Sequence, residues 1–390
     1  MNAEDRAALR AAYQEFLQPG RILLTGHSHQ AWPDVARAAQ LEVFDDAARF
    51  VDDKWERAIF PVVDEVGRAV LSRMGFADDD AIAFSDSTHQ LVYRLLSALE
   101  PKARVVTTTS EFHSLHRQLS RLQEAGLEVV WVDAHPREHL VERLFEALTP
   151  ETAMLAVSAV LFEDAYVLPR LDELLARARE LDILPLVDAY HAFNVVPIDW
   201  GPAGDHLYVT AGGYKYAAFG NGVSWLRFPR DSRLRPVYTG WFADFDSLSA
   251  QRRAGSIVHY GPGGQRFGGA TFDPSALYRA RAVLRHWDNF RLDVTALRAI
   301  STAQTRRILE RVAAGGGPRV LSAHDDARRG GFVTLEHPRA VEAVKRLRER
   351  GVFVDARGSL LRLGPAPYLT DAEIDAGVDA VLDVTRSFER

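Results

Sequence analysis

Residues 183–228 read ILPLVDAYHAFNVVPIDWGPAGDHLYVTAGGYKYAAFGNGVSWLRF. Three apolar runs stand out, ILPLV (183–187), HLYVT (206–210) and VSWLRF (223–228), each of strand length and separated by Gly- and Pro-marked connections. Charged residues sit at the ends of two of them. Asp188 closes the first run, and Lys215 follows the second, between two tyrosines and among glycines. Lysine normally goes to water. A lysine in this setting is either snorkelling from a Gly-rich loop or desolvated for a purpose.

The same alternation extends outward. RILL (21–24), AIAF (81–84), RVVTT (104–108), LEVVWVD (127–133) and AMLAVSAVLF (153–162) are further strand candidates. Helical periodicity lies between most of them, as in 33–50, 90–99 and 171–181. Strands alternating with helices predict an α/β fold, a largely parallel sheet covered on both faces, with ligands beyond the carboxyl ends of its strands. After about residue 275 the pattern changes to long helices (275–286, 292–313, 339–350, 371–388) with the strands GFVTLEH, GVFVDA and SLLRLG. The expected division is an N-terminal helical arm over 1–20, a large domain over 21–270 and a smaller α+β domain over 271–390. GGGP (315–318) reads as a loop inside the latter.

Composition narrows the function. The 390 residues are 47% hydrophobic and 26% charged, an ordinary globular balance, and the formal net charge of −6 argues against a nucleic-acid or anionic-membrane partner. No run approaches the roughly 18 apolar residues of a membrane span. The opening MNAEDRAALRAAYQEFL carries acids at helical spacing and does not read as a signal peptide, so a cytoplasmic enzyme is expected. Cysteine is absent, which excludes disulfides and a catalytic thiol. Of 47 basic residues only Lys54, Lys102, Lys215 and Lys345 are lysines, and only Lys215 lies in a closed setting.

A Schiff-base lysine needs a lowered pKa, which desolvation supplies. Asp188, 27 residues upstream, is costly to bury unless it meets a cation. The ring nitrogen of pyridoxal 5′-phosphate (PLP) is such a cation, and a carboxylate beside it keeps it protonated. His191, three residues on, is within reach of the same ring's oxygen; the bland alternative is a strand-end Asp with a satisfied neighbour. Ser87 and Thr88, in AIAFSDSTHQLVYRLL, stand where a strand turns into a helix and suit a phosphate, though Ser/Thr caps are common. Phe112 is a candidate ring-stacking residue or a core Phe. Trp241 (TGWFADF) and Thr271 (GGATFDP) lie on glycine-flanked loops suited to cofactor contact. Arg362 interrupts the apolar strand SLLRLG, where a buried guanidinium meets a carboxylate, of substrate or of the protein. His27/His29, His113/His116 and His135/His139 have tempting spacings, but without cysteine or an HExxH pattern no metal site is expected. His27, His89 and His113 flank the cofactor loops and are better read as substrate contacts.

Taken together, these segments resemble the class V, fold-type I PLP-dependent enzymes, and among them the kynureninases. LLTGHSHQAWP resembles the family's N-terminal Gly-x-Ser segment, SDSTHQL its phosphate turn, and SEFHS the segment whose Phe stacks on the ring. LVDAYHAFNVVPIDW resembles the Asp-x-x-His motif, GGYKY the Tyr-Lys-Tyr segment, and TGWF and LRLGPAP the loop tryptophan and the carboxylate-binding strand. The resemblance implies a mainly parallel seven-stranded sheet with a smaller C-terminal domain. It implies Lys215 as the imine lysine, Asp188 at the ring nitrogen and His191 near the ring oxygen. Ser87, Thr88, Tyr214 and Trp241 would surround the phosphate, with Phe112 on the ring. Arg362 would take the substrate carboxylate, with His27 and Ser28 nearby. It also implies a homodimer whose active site lies at the subunit interface, so that Trp241 and Thr271 serve the partner's cofactor. The pattern is broken at Leu115, where the family has aspartate, at Asp273-Pro274, where it has Asn-Pro, and at His27, where it has Asn.

The expected activity is hydrolytic C–C cleavage of an amino acid. A class V transamination and a β-eliminating C–S cleavage share its opening steps. The absence of cysteine removes the branch that passes sulfur to a catalytic thiol. Readings of other kinds are a PLP-binding protein without turnover, which has no need of Arg362, and direct imine formation between Lys215 and a carbonyl substrate.

Overall fold

Seven strands build the central sheet: β1 (Ala81–Ser85), β2 (Arg104–Thr108), β3 (Glu128–Val132), β4 (Thr152–Ser158), β5 (Leu184–Asp188), β6 (Tyr208–Gly212) and β7 (Ser224–Phe228). This is a computed structural model, which describes residues 3–77, 80–247 and 254–388. The strand order is β1-β7-β6-β5-β4-β2-β3. Strands β3, β2, β4, β5 and β6 pair in parallel, whereas β7 runs antiparallel to both β6 and β1.

Period-2 alternation explains why the sheet is buried on both faces. Leu155, Val157, Val187, Val209 and Trp225 enter one core, which the helices Phe60–Arg73, Leu171–Glu180 and Ser275–Asn289 complete. Met154, Ala156, Leu186, Leu226 and Phe228 point the other way. There they meet Leu91 and Leu95 of helix α1 (Thr88–Leu96) and Leu115 and Leu119 of helix α2 (His113–Glu124). Both helices begin directly beyond the carboxyl ends of β1 and β2, so their first turns face the edge where the other parallel strands also end.

C-terminal to this layer, an antiparallel sheet of β8 (Arg319–Val320), β9 (Val333–Glu336), β10 (Asp355–Arg357) and β11 (Leu360–Leu363) has the order β10-β11-β9-β8. Helix Asp371–Arg386 follows, opened by a capping box between Thr370 and Glu373.

The structure departs from the sequence expectation in three local respects. The strand expected over 21–24 forms only as Ile22–Leu23 and pairs in parallel with Val352–Phe353, outside the central sheet. Gly377 allows this approach, since a Cβ there would lie 2.9 Å from Leu24 Cδ1. The run 153–162 stops being strand at Ser158, and Phe162 turns toward the ligand edge instead. GVFVDA splits into Val352–Phe353 and β10.

Leu155 is fully buried at the centre of the sheet, and truncation would leave a cavity between two rigid layers. Leu155→Ala is expected to destabilise the chain by about 2–5 kcal/mol, read as a lowered denaturant midpoint of the apoprotein at unchanged m-value. A loss under about 1 kcal/mol would show that the layers close over the gap.

Candidate active site

A cavity of about 390 Å³ opens at the carboxyl ends of β1, β4, β5 and β6, with Lys215, Asp188, His191 and Phe112 in its wall. Gly212 ends β6 beneath the Tyr190 ring, where a Cβ would approach the Tyr190 hydroxyl to 2.5 Å. That close approach brings the following lysine inward. Lys215 is 4% exposed, and its Nζ lies 4.4 Å from the Tyr190 ring centroid, 5.1 Å from Phe112 and 5.8 Å from Tyr214. Burial pulls the Lys215 pKa down to about 7, against the nearby charge of Asp188, which favours the ammonium. An amine half-neutral at physiological pH is a nucleophile toward carbonyl carbon.

His191 bonds to this amine, Nε2 to Nζ at 2.7 Å. Burial, reinforced by the Lys215 charge, holds the imidazole neutral. With Nε2 accepting from the lysine, the ring proton resides on Nδ1, which is buried and has no hydrogen-bond partner among the described residues. An orphaned donor in a cavity wall is a group prepared for an acceptor that comes from outside. Asp188, the last residue of β5, opens to the cavity. Its proton affinity is raised by burial, while the Tyr190 backbone N–H, 2.8 Å from Oδ1, and the Lys215 charge oppose the rise.

At the other end of the cavity, Ser87 caps α1 in an extended conformation, yet its side chain makes no capping bond. Thr88 stands beside it in the same wall. The first N–H groups of α1 and two hydroxyls with no hydrogen-bond partner among the described residues therefore stand at this end, an anion-binding arrangement. Gly222, at φ +90°, completes this end with a backbone conformation open to glycine.

Arg362 is 3% exposed and outside the cavity wall. Its cross-strand neighbour in the β10–β11 pair is Asp355, which takes a bidentate bond at 2.9 and 2.5 Å, while Nη1 donates to the Phe162 carbonyl at 2.6 Å. His27 joins the same carboxylate, Nε2 to Oδ1 at 2.8 Å, and stacks on Phe332 with centroids 4.7 Å apart. Burial lowers the His27 pKa to about 4, although the Asp355 bond works the other way, so the ring is neutral at pH 7. Arg362 and His27 with their flanking hydrogen bonds hold the Asp355 carboxyl far below its usual range despite its burial. Ser28 bonds locally to the Thr25 carbonyl at 3.3 Å.

Trp241 and Thr271 meet each other, Nε1 to Oγ1 at 3.0 Å, on an exposed surface; neither lines the cavity of this chain. Leu115 packs into the core beneath α2, at 6% exposure. Asp273 caps the helix Ser275–Asn289 through Ser275, its Oδ1 accepting from the backbone N–H at 2.9 Å and from the hydroxyl at 2.5 Å. His89 borders the cavity, and His113 lies in the adjoining groove between α1 and α2. Sequence reading missed several members: Asp355, the partner of Arg362; Glu111, buried behind Ser158; and His29, Ser158 and Tyr190 in the wall. Tyr190 was legible as the aromatic inside the Asp-x-x-His loop; the others carry no local signal. No group of three or more metal-ligating side chains occurs among the described residues.

The sheet order with its flanking helices is that of the fold-type I architecture. Solved structures bear this out: the cysteine desulfurase from Thermococcus onnurineus NA1 superposes with a TM-score of 0.81 at 15% identity, covering 98% of both chains. The cystine C–S lyase C-DES, solved with its reaction product cysteine persulfide, gives 0.81 at 16% identity over 95% of this chain and 99% of its own. A C-DES mutant with glycine covalently linked to its PLP cofactor gives 0.82 at 16%, over 96% and 99%. Within that class the likeness is to kynureninase. The family model for the kynureninase C-terminal domain matches residues 297–381. The kynureninase of Pseudomonas fluorescens is 26% identical over 96% of this chain and 91% of its own length, and that of Deinococcus radiodurans is 25% identical over 98% and 95%.

The Lys215 environment sets a pH dependence. Carbonyl capture needs the neutral amine, and burial lowers the pKa, so the reactive form accumulates as pH rises through about 7. The rate of imine formation between the apoprotein and an aromatic aldehyde, followed by absorbance, should climb between pH 6 and 7 and level off above about 8. A midpoint near the roughly 10.4 of a free lysine would show that Lys215 is hydrated.

Proposed function

We propose that this chain is a PLP-dependent enzyme that cleaves an amino acid by kynureninase-like hydrolysis of a C–C bond. The observation that carries the reading is the pairing of a buried, near-neutral amine, Lys215, with a carboxylate, Asp188, at adjacent strand ends of one cavity. The residues suit the group in three further ways. Among the described residues the Nδ1 of His191 lacks an acceptor and the hydroxyls of Ser87 and Thr88 have no partner at a helix start, and Phe112 stands in the cavity wall.

Bound PLP supplies an aldehyde carbon for an amine and a protonated ring that withdraws electrons from the substrate α-carbon. Lys215 would hold that aldehyde through Nζ and, as a free amine, would take and return the proton at the substrate α-carbon. Asp188 would keep the proton on the ring nitrogen, His191 would donate to the ring oxygen through Nδ1, and Ser87, Thr88 and Tyr214 would bind the phosphate. Arg362 receives the substrate carboxylate with the N–H groups that Asp355 and the Phe162 carbonyl leave free, flanked by His27 and Ser28.

The working unit is a homodimer in the cytoplasm. Phe44, Val237 and Ile257 are 73%, 82% and 73% exposed, which a second copy would cover, and Trp241 and Thr271 would then reach the partner's phosphate. No described helix is long and apolar enough to cross a membrane.

Incubation with L-kynurenine, 3-hydroxykynurenine and a panel of amino acids identifies the reaction. Alanine with an aryl acid marks hydrolysis, pyruvate with ammonia marks elimination, and a new amino acid marks transamination. No product from any of them, in protein carrying the visible PLP band, would leave a cofactor holder without turnover. Asp188→Asn is expected to retain bound PLP and lose most of kcat; full turnover would make the aspartate structural. Arg362→Ala should raise KM for carboxylate substrates by the equivalent of about 2–5 kcal/mol. An equal penalty for the corresponding amine lacking the carboxylate would remove that role.

A further inference from the structure

Behind the cavity floor lies a carboxyl group for which the proposed mechanism has no use. Glu111, in the turn between β2 and α2, is 2% exposed. It accepts three hydrogen bonds: from Thr108 Oγ1 at 2.7 Å and the Ser158 backbone N–H at 3.2 Å, both on Oε1, and from Ser158 Oγ at 2.6 Å on Oε2. Three donors and no acceptor suit the ionised carboxylate. No lysine or arginine bonds to it among the described residues. Ser158 ends β4 and is the register partner of Asp188 on β5, and it also lines the cavity. One side chain thus separates Glu111 from the ligand space, and one strand spacing separates Ser158 from the aspartate proposed to face the ring nitrogen.

We propose that Glu111 is a positioning residue that raises the proton affinity of a cationic nitrogen held against Asp188, acting through its charge and through Ser158. The inference rests on the PLP reading above and extends it. The charged groups near Glu111 are few. Asp188 faces it from β5, and Lys215 faces Asp188 from beyond β6. On the far side Ser110 donates to Glu163 at 2.8 Å, and Arg137 closes that acid and Asp164 into a separate cluster. Two carboxyl groups therefore stand about the floor, Asp188 in the cavity wall and Glu111 behind it, with one amine, Lys215, while Asp86 lines the cavity at its phosphate end. Without a ligand the second negative charge is poorly matched: burial, with the Asp188 charge adding to it, pushes Glu111 up to about 7. A protonated ring nitrogen at Asp188 supplies the missing cation. By reciprocity the charge that draws Glu111 into its ionised form also holds the proton on that nitrogen.

A merely structural staple between β2 and β4 would leave the ring's protonation alone, so the test reads it directly. Apoprotein is loaded with PLP carrying 15N in its ring, and two quantities are measured: the pH midpoint of the ring-nitrogen titration and the 15N shift of the ring at neutral pH. Glu111→Gln keeps the side-chain size and removes the charge. It should lower the midpoint by about one pH unit and move the 15N signal toward the unprotonated value. Ser158→Ala, which keeps the carboxylate but removes one of its donors, should shift both in the same direction by less. Added to Glu111→Gln it should shift nothing further, because the two act as one unit. An unchanged midpoint and ring signal in Glu111→Gln, or independent addition of the two effects, would overturn the proposal. Should Glu111→Gln not fold, an unchanged pair of readings in Ser158→Ala overturns it alone. Wild-type protein that develops no visible band with PLP sinks the cofactor reading itself, and this inference with it.

Discussion

Everything at the ligand edge follows from burying one primary amine. An ammonium among three aromatic rings has lost its water, and a protein can keep it there only by neutralising it or matching it. Here both happen in part: Lys215 is drawn toward the neutral form, and Asp188 supplies an opposing charge without a direct salt bridge among the described contacts. The sheet makes the pairing geometric. Strands β5 and β6 are parallel neighbours, with Asp188 in register with Thr210, so a carboxylate ending one strand and a lysine just past the other emerge at the same edge. A connection that covers the spacing from Asp188 to Lys215 does not need side-chain chance to bring them together.

The second ionic centre behaves differently. Arg362 and Asp355 face each other across a tight antiparallel pair and close their charges on themselves, with neutral His27 as a third member. That centre is settled before any ligand arrives, whereas the floor around Lys215, Asp188 and Glu111 is not. Raised acids and a lowered base in one small space are the electrostatic signature of a site awaiting a charge, and ion-pair staples lack it.

Much of this was legible because it lies at the ends of apolar runs. The strands read from composition and period coincide with β1 to β7 to within about two residues at most ends, β4 excepted, and Lys215, Asp188, His191, Ser87, Thr88, Phe112 and Tyr214 do line one cavity. Residues whose meaning depends on tertiary pairing were hidden. Asp355 reads as an ordinary acid in a turn until the β10–β11 register sets it opposite Arg362. Glu111 was overshadowed by Phe112 beside it, since nothing local says that Ser158, 47 positions on, will donate to it. Leu115 reads as a lost acid of the site, yet its helix turns it into the core. Trp241 and Thr271 meet each other and not the cavity of this chain, a pairing 30 positions apart that no local signal announces.

The closed Arg362–Asp355 pair also constrains what could enter. A guanidinium has five N–H donors, and three are engaged, two with Asp355 and one with the Phe162 carbonyl. A substrate carboxylate would use the remaining two, or displace Asp355, which His27 holds from its other side. Displacement would strand a half-buried carboxylate against a neutral imidazole, an expensive outcome. The residual donors would therefore be the better fit for any carboxylate, which they would orient more than attract, since Asp355 already offsets the guanidinium. The aromatic residues around the pair divide accordingly: Phe162, whose carbonyl accepts from Arg362, lines the cavity, whereas Phe332 is fully buried against His27 and only supports the pair from behind.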